Sequence, residues 1–163
     1  MNIKNLSIVL LTCILANASC KKKETVIVPK SKTEYLAGTV SKSWKNTKAQ
    51  ATNAQNLTVD LVSTQPTCVV DNLLIFSPNK TYEFREGATK CNAADPDLLL
   101  KANWGFNADE SKFTVDKIIF QGRQFENVTF DIVELTDTKF IGKTNLTIGG
   151  VAYQFAATFE PAK

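Results

Sequence analysis

Four cysteines and no histidine define the chemistry open to this 163-residue chain. Without histidine, Ser-His-Asp and Cys-His nucleophile systems of the usual kind, His-ligated zinc and any side chain that titrates unperturbed near neutrality are excluded. Most common hydrolase chemistries go with them. Carboxylates gather in two places, Asp95 and Asp97 with Asn92, and Asp109-Glu110. Such pairs can bind calcium or act as acid and base, but neither has the ligand number or the Gly-containing spacing of a calcium loop. Both read as solvated turn residues. No Gly-rich phosphate loop or dinucleotide fingerprint occurs. The expectation is a protein that is not an enzyme and uses no metal and no cofactor.

The cysteines sort by what surrounds them. Met1 to Ser19 carries Lys4, an apolar stretch from Ile8 to Leu15, and the small residues Ala16, Ala18 and Ser19. That is the pattern of a secretory signal peptide, and the apolar stretch is shorter than the about 20 residues a membrane span needs. Small residues directly before Cys20 resemble the lipobox of bacterial lipoproteins, with Asn17 where leucine is usual. The resemblance implies that Cys20 becomes the first mature residue and carries a lipid; an ordinary secreted protein with a structural Cys20 is the alternative. Cys13 leaves with the signal peptide. Cys68 and Cys91 remain, and in an oxidising compartment they are expected to form a disulfide, closing a loop worth about 3.5 kcal/mol on the chain-entropy model. A two-cysteine metal site would lack its other ligands.

Charge is unevenly placed. Lys21, Lys22, Lys23, Lys30 and Lys32 outweigh Glu24 and Glu34, whereas from Tyr35 onward 13 Lys+Arg face 14 Asp+Glu. A nucleic-acid binder would carry its basic face on the folded domain, so no nucleic-acid partner is expected. The basic run reads as a membrane-proximal tether, each lysine contributing about 1 kcal/mol near anionic headgroups. Residues 1–19 are thus a signal peptide, 20–34 a lipidated flexible tether and 35–163 one domain, with no motif that names a protein partner.

After Tyr35 apolar residues alternate with polar ones. Val151, Tyr153, Phe155, Ala157 and Phe159 fall on one face of a half-buried antiparallel strand. Leu73 to Phe76, the turn Ser77-Pro78-Asn79-Lys80 and Thr81 to Arg85 predict a hairpin. Asn103–Phe106 and Lys112–Val115 flank a turn; Lys117–Phe120 leads through Gly122-Arg123 into Phe125–Leu135, followed by Lys139–Ile148. Gly149-Gly150 suits the positive φ of a two-residue hairpin loop. Asp95 to Lys101 has mild helical spacing, and Trp44 to Val70 is undecided apart from a strand at Leu57–Val62. About eight strands are expected, the number that closes a small barrel around side chains or one small ligand.

Asp71 to Phe76, Asn79 to Phe84, the Gly87-Ala88-Thr89-Lys90-Cys91 segment, Trp104 with its following strand pair, and Ile132 to Thr136 together resemble the lipocalin-like domain of Bacteroidetes lipoproteins. The resemblance is good from Cys68 to Thr136 and looser elsewhere. Gly38 and Trp44 stand further apart than the Gly-x-Trp that opens a lipocalin barrel. It implies an all-β, antiparallel up-and-down barrel, a lipid-anchored location at the outer membrane and an apolar ligand, but no catalytic activity. Lys21 to Lys23 lacks the acidic run associated with surface export, which favours a periplasm-facing position.

Aromatic residues are the candidate ligand contacts, Tyr82, Trp104 and Tyr153 foremost. They suit equally a pocket for a small apolar ligand and a barrel filled outright. Two readings therefore stand: a membrane-anchored binding module, or a structural or interaction lipoprotein with a solid core that acts through its outer surface. An apolar cavity near the lower end of the ~300–1,000 Å³ range decides for the first.

Overall fold

The computed structural model describes residues 29–120 and 122–162. Residues 1–19, read from sequence as a signal peptide, lie with Cys20 and Lys21 to Lys23 outside the described residues. Ser31 to Glu34, expected to belong to a flexible tether, are instead ordered, because Ser31 caps a helix, α1 (Lys32–Ala37). Ser31 Oγ accepts from the Glu34 N–H at 3.2 Å, and the Glu34 carboxylate accepts from the Ser31 N–H at 2.8 Å. This capping box satisfies two otherwise free backbone donors. Leu36 and Ala37 are fully buried, so the helix is part of the domain.

Among the described residues nine strands follow: β1 (Lys42–Asn53), β2 (Thr58–Asp60), β3 (Leu73–Phe76), β4 (Thr81–Arg85), β5 (Leu98–Phe106), β6 (Lys112–Phe120), β7 (Arg123–Leu135), β8 (Phe140–Ile148) and β9 (Val151–Pro161). A short helix, α2 (Thr67–Val70), lies between β2 and β3. From β3 to β9 every strand pairs antiparallel with the next, and β1 pairs with both β3 and β9. Eight strands thus close an up-and-down barrel, as expected, and closure removes the exposed edges that invite aggregation. Gly149 and Gly150 both have positive φ in the β8–β9 turn, where the φ > 0 of such hairpin loops favours glycine.

One seam of the barrel is incomplete. β3 is only four residues long and reaches β1 from Lys42 to Lys45, while β2 covers β1 only from Gln50 to Thr52 on that side. Between these pairings, on the side away from β9, the Leu61 N–H donates to the Ala49 carbonyl of β1 at 2.8 Å. The segment from Leu61 to Asn72 fills the gap.

The end that holds α1 is solid. Trp44, Phe76, Tyr82, Trp104, Phe113 and Phe140 are buried there, with Phe113 edge-on to Phe76 and Phe140 at 5.5 Å each. Offset and edge-to-face pairs at this spacing add to the burial of the rings. Two expectations need correction. Leu98 to Leu100 is strand rather than a helical turn, because β4 supplies partners from Arg85↔Leu98 to Thr81↔Asn103 and ladder pairing outweighs weak local spacing. The undecided stretch after Trp44 is the long strand β1, whose Gln, Asn and Thr residues hide the alternation. The predicted strand at Leu57–Val62 is present only as the three-residue β2.

Candidate functional site

The half of the barrel away from α1 is hollow. Its cavity measures about 410 Å³, within the size range of small-molecule sites. Phe76, Tyr82, Phe113 and Phe140 form the floor, β6 to β9 supply Ile118, Phe130, Leu146 and Phe155 to the wall, and Leu61, Val62, Val69 and Val70 form a cover. The period-two pattern explains the wall: on β8, Phe140, Gly142, Thr144 and Leu146 face in, while Lys143, Asn145 and Thr147 are exposed.

Among the described residues no charged side chain lines the cavity. Its polar side chains are largely occupied by backbone partners. Thr144 Oγ1 donates to the Thr129 carbonyl at 2.8 Å, Asn46 Nδ2 donates to the Thr158 carbonyl at 3.1 Å, and the Tyr82 hydroxyl donates to the Lys117 carbonyl. Burial pushes the Tyr82 phenol far above its ordinary value of 10.0, so it stays protonated and neutral. Such a space can hold an uncharged apolar molecule; it offers nothing to neutralise an anion.

The cover is fastened on one side. Cys68 and Cys91 are bonded, with Cα atoms 5.1 Å apart, as expected from sequence. This joins α2 to the loop between β4 and β5. The same loop is held by Asp71 Oδ2, which accepts from the Thr89 N–H at 2.9 Å and its hydroxyl at 2.8 Å, and by Asn72 Oδ1, which accepts from the Gly87 N–H at 3.0 Å. Gly87 permits this close approach, since a Cβ there would stand 2.2 Å from the Asp71 carbonyl oxygen.

The three aromatic residues singled out from sequence separate. Tyr82 lines the cavity. Trp104 does not: it belongs to the solid end, where its indole N–H donates to the Thr81 carbonyl at 3.0 Å and Lys80 Nζ stands 4.1 Å above its ring. Tyr153 also lies off the wall, beside Phe155 at 6.1 Å, and Phe155 takes the wall position instead. Sequence reasoning missed the polar members Asn72 and Gln65. The signal for Asn72 was its place directly before the apolar strand Leu73–Phe76. The carboxylate groups act as turn caps: Asp95 accepts from the Asn92 N–H, Asp109 accepts from Ser111, and Asp97 pairs with Lys90. Among the described residues no cluster of three or more His, Cys, Asp or Glu could hold a metal.

No family model and no curated protein matches the chain. Among solved structures it is similar to bovine odorant binding protein, in one case in complex with a selenium-containing odorant and in another with its natural ligand. Each match has 15% identity and a TM-score of 0.42, and covers 83% of this chain and 76% of the other.

Proposed function

We propose that this protein is a lipid-anchored binding module of the bacterial cell envelope that holds a small, uncharged, apolar molecule in its barrel. The carrying observation is the cavity of about 410 Å³, whose wall has no charged side chain among the described residues. A solid-core barrel acting through its outer surface would have filled this space, so the binding reading is preferred over the structural one. The absence of histidine and the commitment of Tyr82, Thr144 and Asn46 donors to backbone carbonyls argue for binding rather than catalysis. The anchor rests on the sequence: a signal peptide of residues 1–19, lipid on Cys20, and a basic tether facing the periplasm from the outer membrane, as in the lipocalin-like lipoproteins of Bacteroidetes.

Two measurements test this reading. Protein purified from its native envelope is extracted and searched for a co-purifying hydrophobic molecule, and an environment-sensitive apolar fluorophore is titrated at low and high salt. Binding that salt leaves unchanged supports the proposal. No extractable molecule and no bound fluorophore would return the structural reading. Mass spectrometry of the mature amino terminus tests the anchor separately: a free Cys20, or cleavage elsewhere with soluble fractionation, removes it.

A further inference from the structure

Asn72 is 9% exposed and lines the cavity where the cover joins β3. Its amide orientation is fixed, because Oδ1 accepts the Gly87 N–H at 3.0 Å and only an amide oxygen can do so. The other end, Nδ2, carries two protons without a partner among the described residues. It is also not among the side-chain atoms sealed off by protein. An amide donor left open in a largely buried residue costs free energy until something accepts from it, and among the described residues no wall group does so. Tyr82, Thr144 and Asn46 spend their own donors on backbone carbonyls, so they do not compete with Asn72 Nδ2 as donors to a ligand.

We infer that Asn72 Nδ2 is the polar subsite of the cavity and that the ligand is an uncharged apolar molecule bearing a carbonyl-type acceptor, a ketone, aldehyde or ester. The inference deepens the binding reading and rests on it. An acceptor at Nδ2 completes the amide while the rest of the molecule lies against Phe76, Phe130 and Leu146. A carboxylate would accept equally well from Nδ2 but would bring a charge that nothing in the wall offsets. A plain hydrocarbon would fill the space and leave the amide unpaired.

The test compares nonan-2-one with 2-methylnon-1-ene, in which a =CH₂ group replaces the carbonyl oxygen, by displacement of N-phenyl-1-naphthylamine from the intact domain. In the Asn72→Leu variant the ketone is expected to lose about 3- to 10-fold in affinity relative to the alkene, the worth of one neutral hydrogen bond. Because Asn72→Leu also removes the contact to Gly87, a second measurement uses the wild type alone. The infrared carbonyl stretch of bound nonan-2-one should lie at the lower frequency of a hydrogen-bonded ketone, not at its position in hexane. An unchanged ketone-to-alkene ratio, or a hexane-like stretch, overturns the assignment of Asn72 while leaving the apolar cavity standing. If the fluorophore itself does not bind, the binding reading falls and this inference with it; if it binds and neither molecule displaces it, the carbonyl assignment falls alone.

Discussion

The indole N–H of Trp44 donates to the carbonyl of Leu36 at 2.7 Å, with both residues fully buried. This bond fastens α1 across the solid end of the barrel, and Lys42 Nζ, 4.4 Å from the Trp44 ring, adds hydrogen bonds to the carbonyls of Tyr35 and Asp137. Trp44→Phe keeps most of the apolar volume but leaves the Leu36 oxygen buried without its donor. The expected loss is about 1–3 kcal/mol, read as a lower urea midpoint with an unchanged slope. A midpoint equal to wild type would show that α1 is held by other contacts.

The docking of α1 should also weaken in acid. The Ser31 backbone N–H holds the Glu34 carboxyl below its ordinary 4.5, and the hydrogen bond from Lys30 holds Asp137 below its ordinary 3.8. A folded-state value below the unfolded one means stability that is complete above the ordinary value and lost as pH falls through the lowered one. Both groups lie at the surface, so the effect is local rather than global. Hydrogen exchange at the Tyr35 and Gly38 amides, which donate to Ser31 and Glu34, should lose protection below about pH 4 while β8 keeps its own. Parallel protection of both regions down to pH 3 would contradict this.

The bond between Cys68 and Cys91 gives a third expectation. Cys68→Ala should melt earlier than wild type under oxidising conditions, by the equivalent of about 3.5 kcal/mol, and match it under strong reductant. Because the bridge holds the cover, an apolar fluorophore should also leave the variant faster. Equal melting in both conditions would show that the bridge adds nothing to stability.

What the sequence makes legible follows from how each part is held together. The hairpins from Leu73 to Arg85 and from Phe140 to Pro161 are set by alternation and turn residues, both local, and they are found where the sequence puts them. The strand β1 is not legible because its polar residues are ordered by partners distant in the chain, from Trp44↔Pro161 to Asn53↔Tyr153. The cover from Leu61 to Asn72 depends on a disulfide and on three hydrogen bonds to residues Gly87 and Thr89, so it has no periodicity of its own. Alternation also cannot say how far along a barrel axis a residue sits. Tyr82 and Trp104 are both buried in the solid end, yet Tyr82 reaches the cavity floor and Trp104 does not.

Trp104 and Tyr82 therefore separate stability from binding. Trp104→Ala empties a position packed against Phe76, Phe106 and Phe113 and should cost about 3–5 kcal/mol. Tyr82→Phe keeps the ring on the cavity floor and loses only the bond to Lys117, about 1 kcal/mol, with ligand affinity within about twofold of wild type. Neither tryptophan lines the cavity, so intrinsic tryptophan emission is expected to respond weakly to ligand. A large change in that emission on binding would place the ligand deeper than the floor described.

Gly87 tests how the cover and the polar subsite depend on one close approach. Gly87→Ala sets a Cβ 2.2 Å from the Asp71 carbonyl oxygen, where backbone must yield, and overpacking of this kind costs about 1–3 kcal/mol. The shift should break the bond from Gly87 to Asn72, and an amide hydrogen-exchange map should show lost protection confined to the Gly87 to Cys91 loop and the cover. Wild-type melting and an undisturbed map would mean the loop does not need this contact.

The uncharged wall leads to the last expectation. An apolar chain ending in a methyl ester should bind, while the corresponding carboxylate, which would have to enter with an unpaired charge, should be at least about tenfold weaker. Leu146 is a suitable place to reverse the order: it is half-buried on β8 opposite Tyr153, so an arginine there can lay its stem along the wall and keep its guanidinium partly hydrated. In Leu146→Arg the carboxylate should gain on the ester, and only this variant's carboxylate binding should fall as salt is raised. Competition for N-phenyl-1-naphthylamine at low and high salt measures both ligands in both proteins. If the wild type already binds the carboxylate as tightly as the ester, the cavity contains a cationic partner that its wall does not reveal, and the neutral-ligand reading must be abandoned.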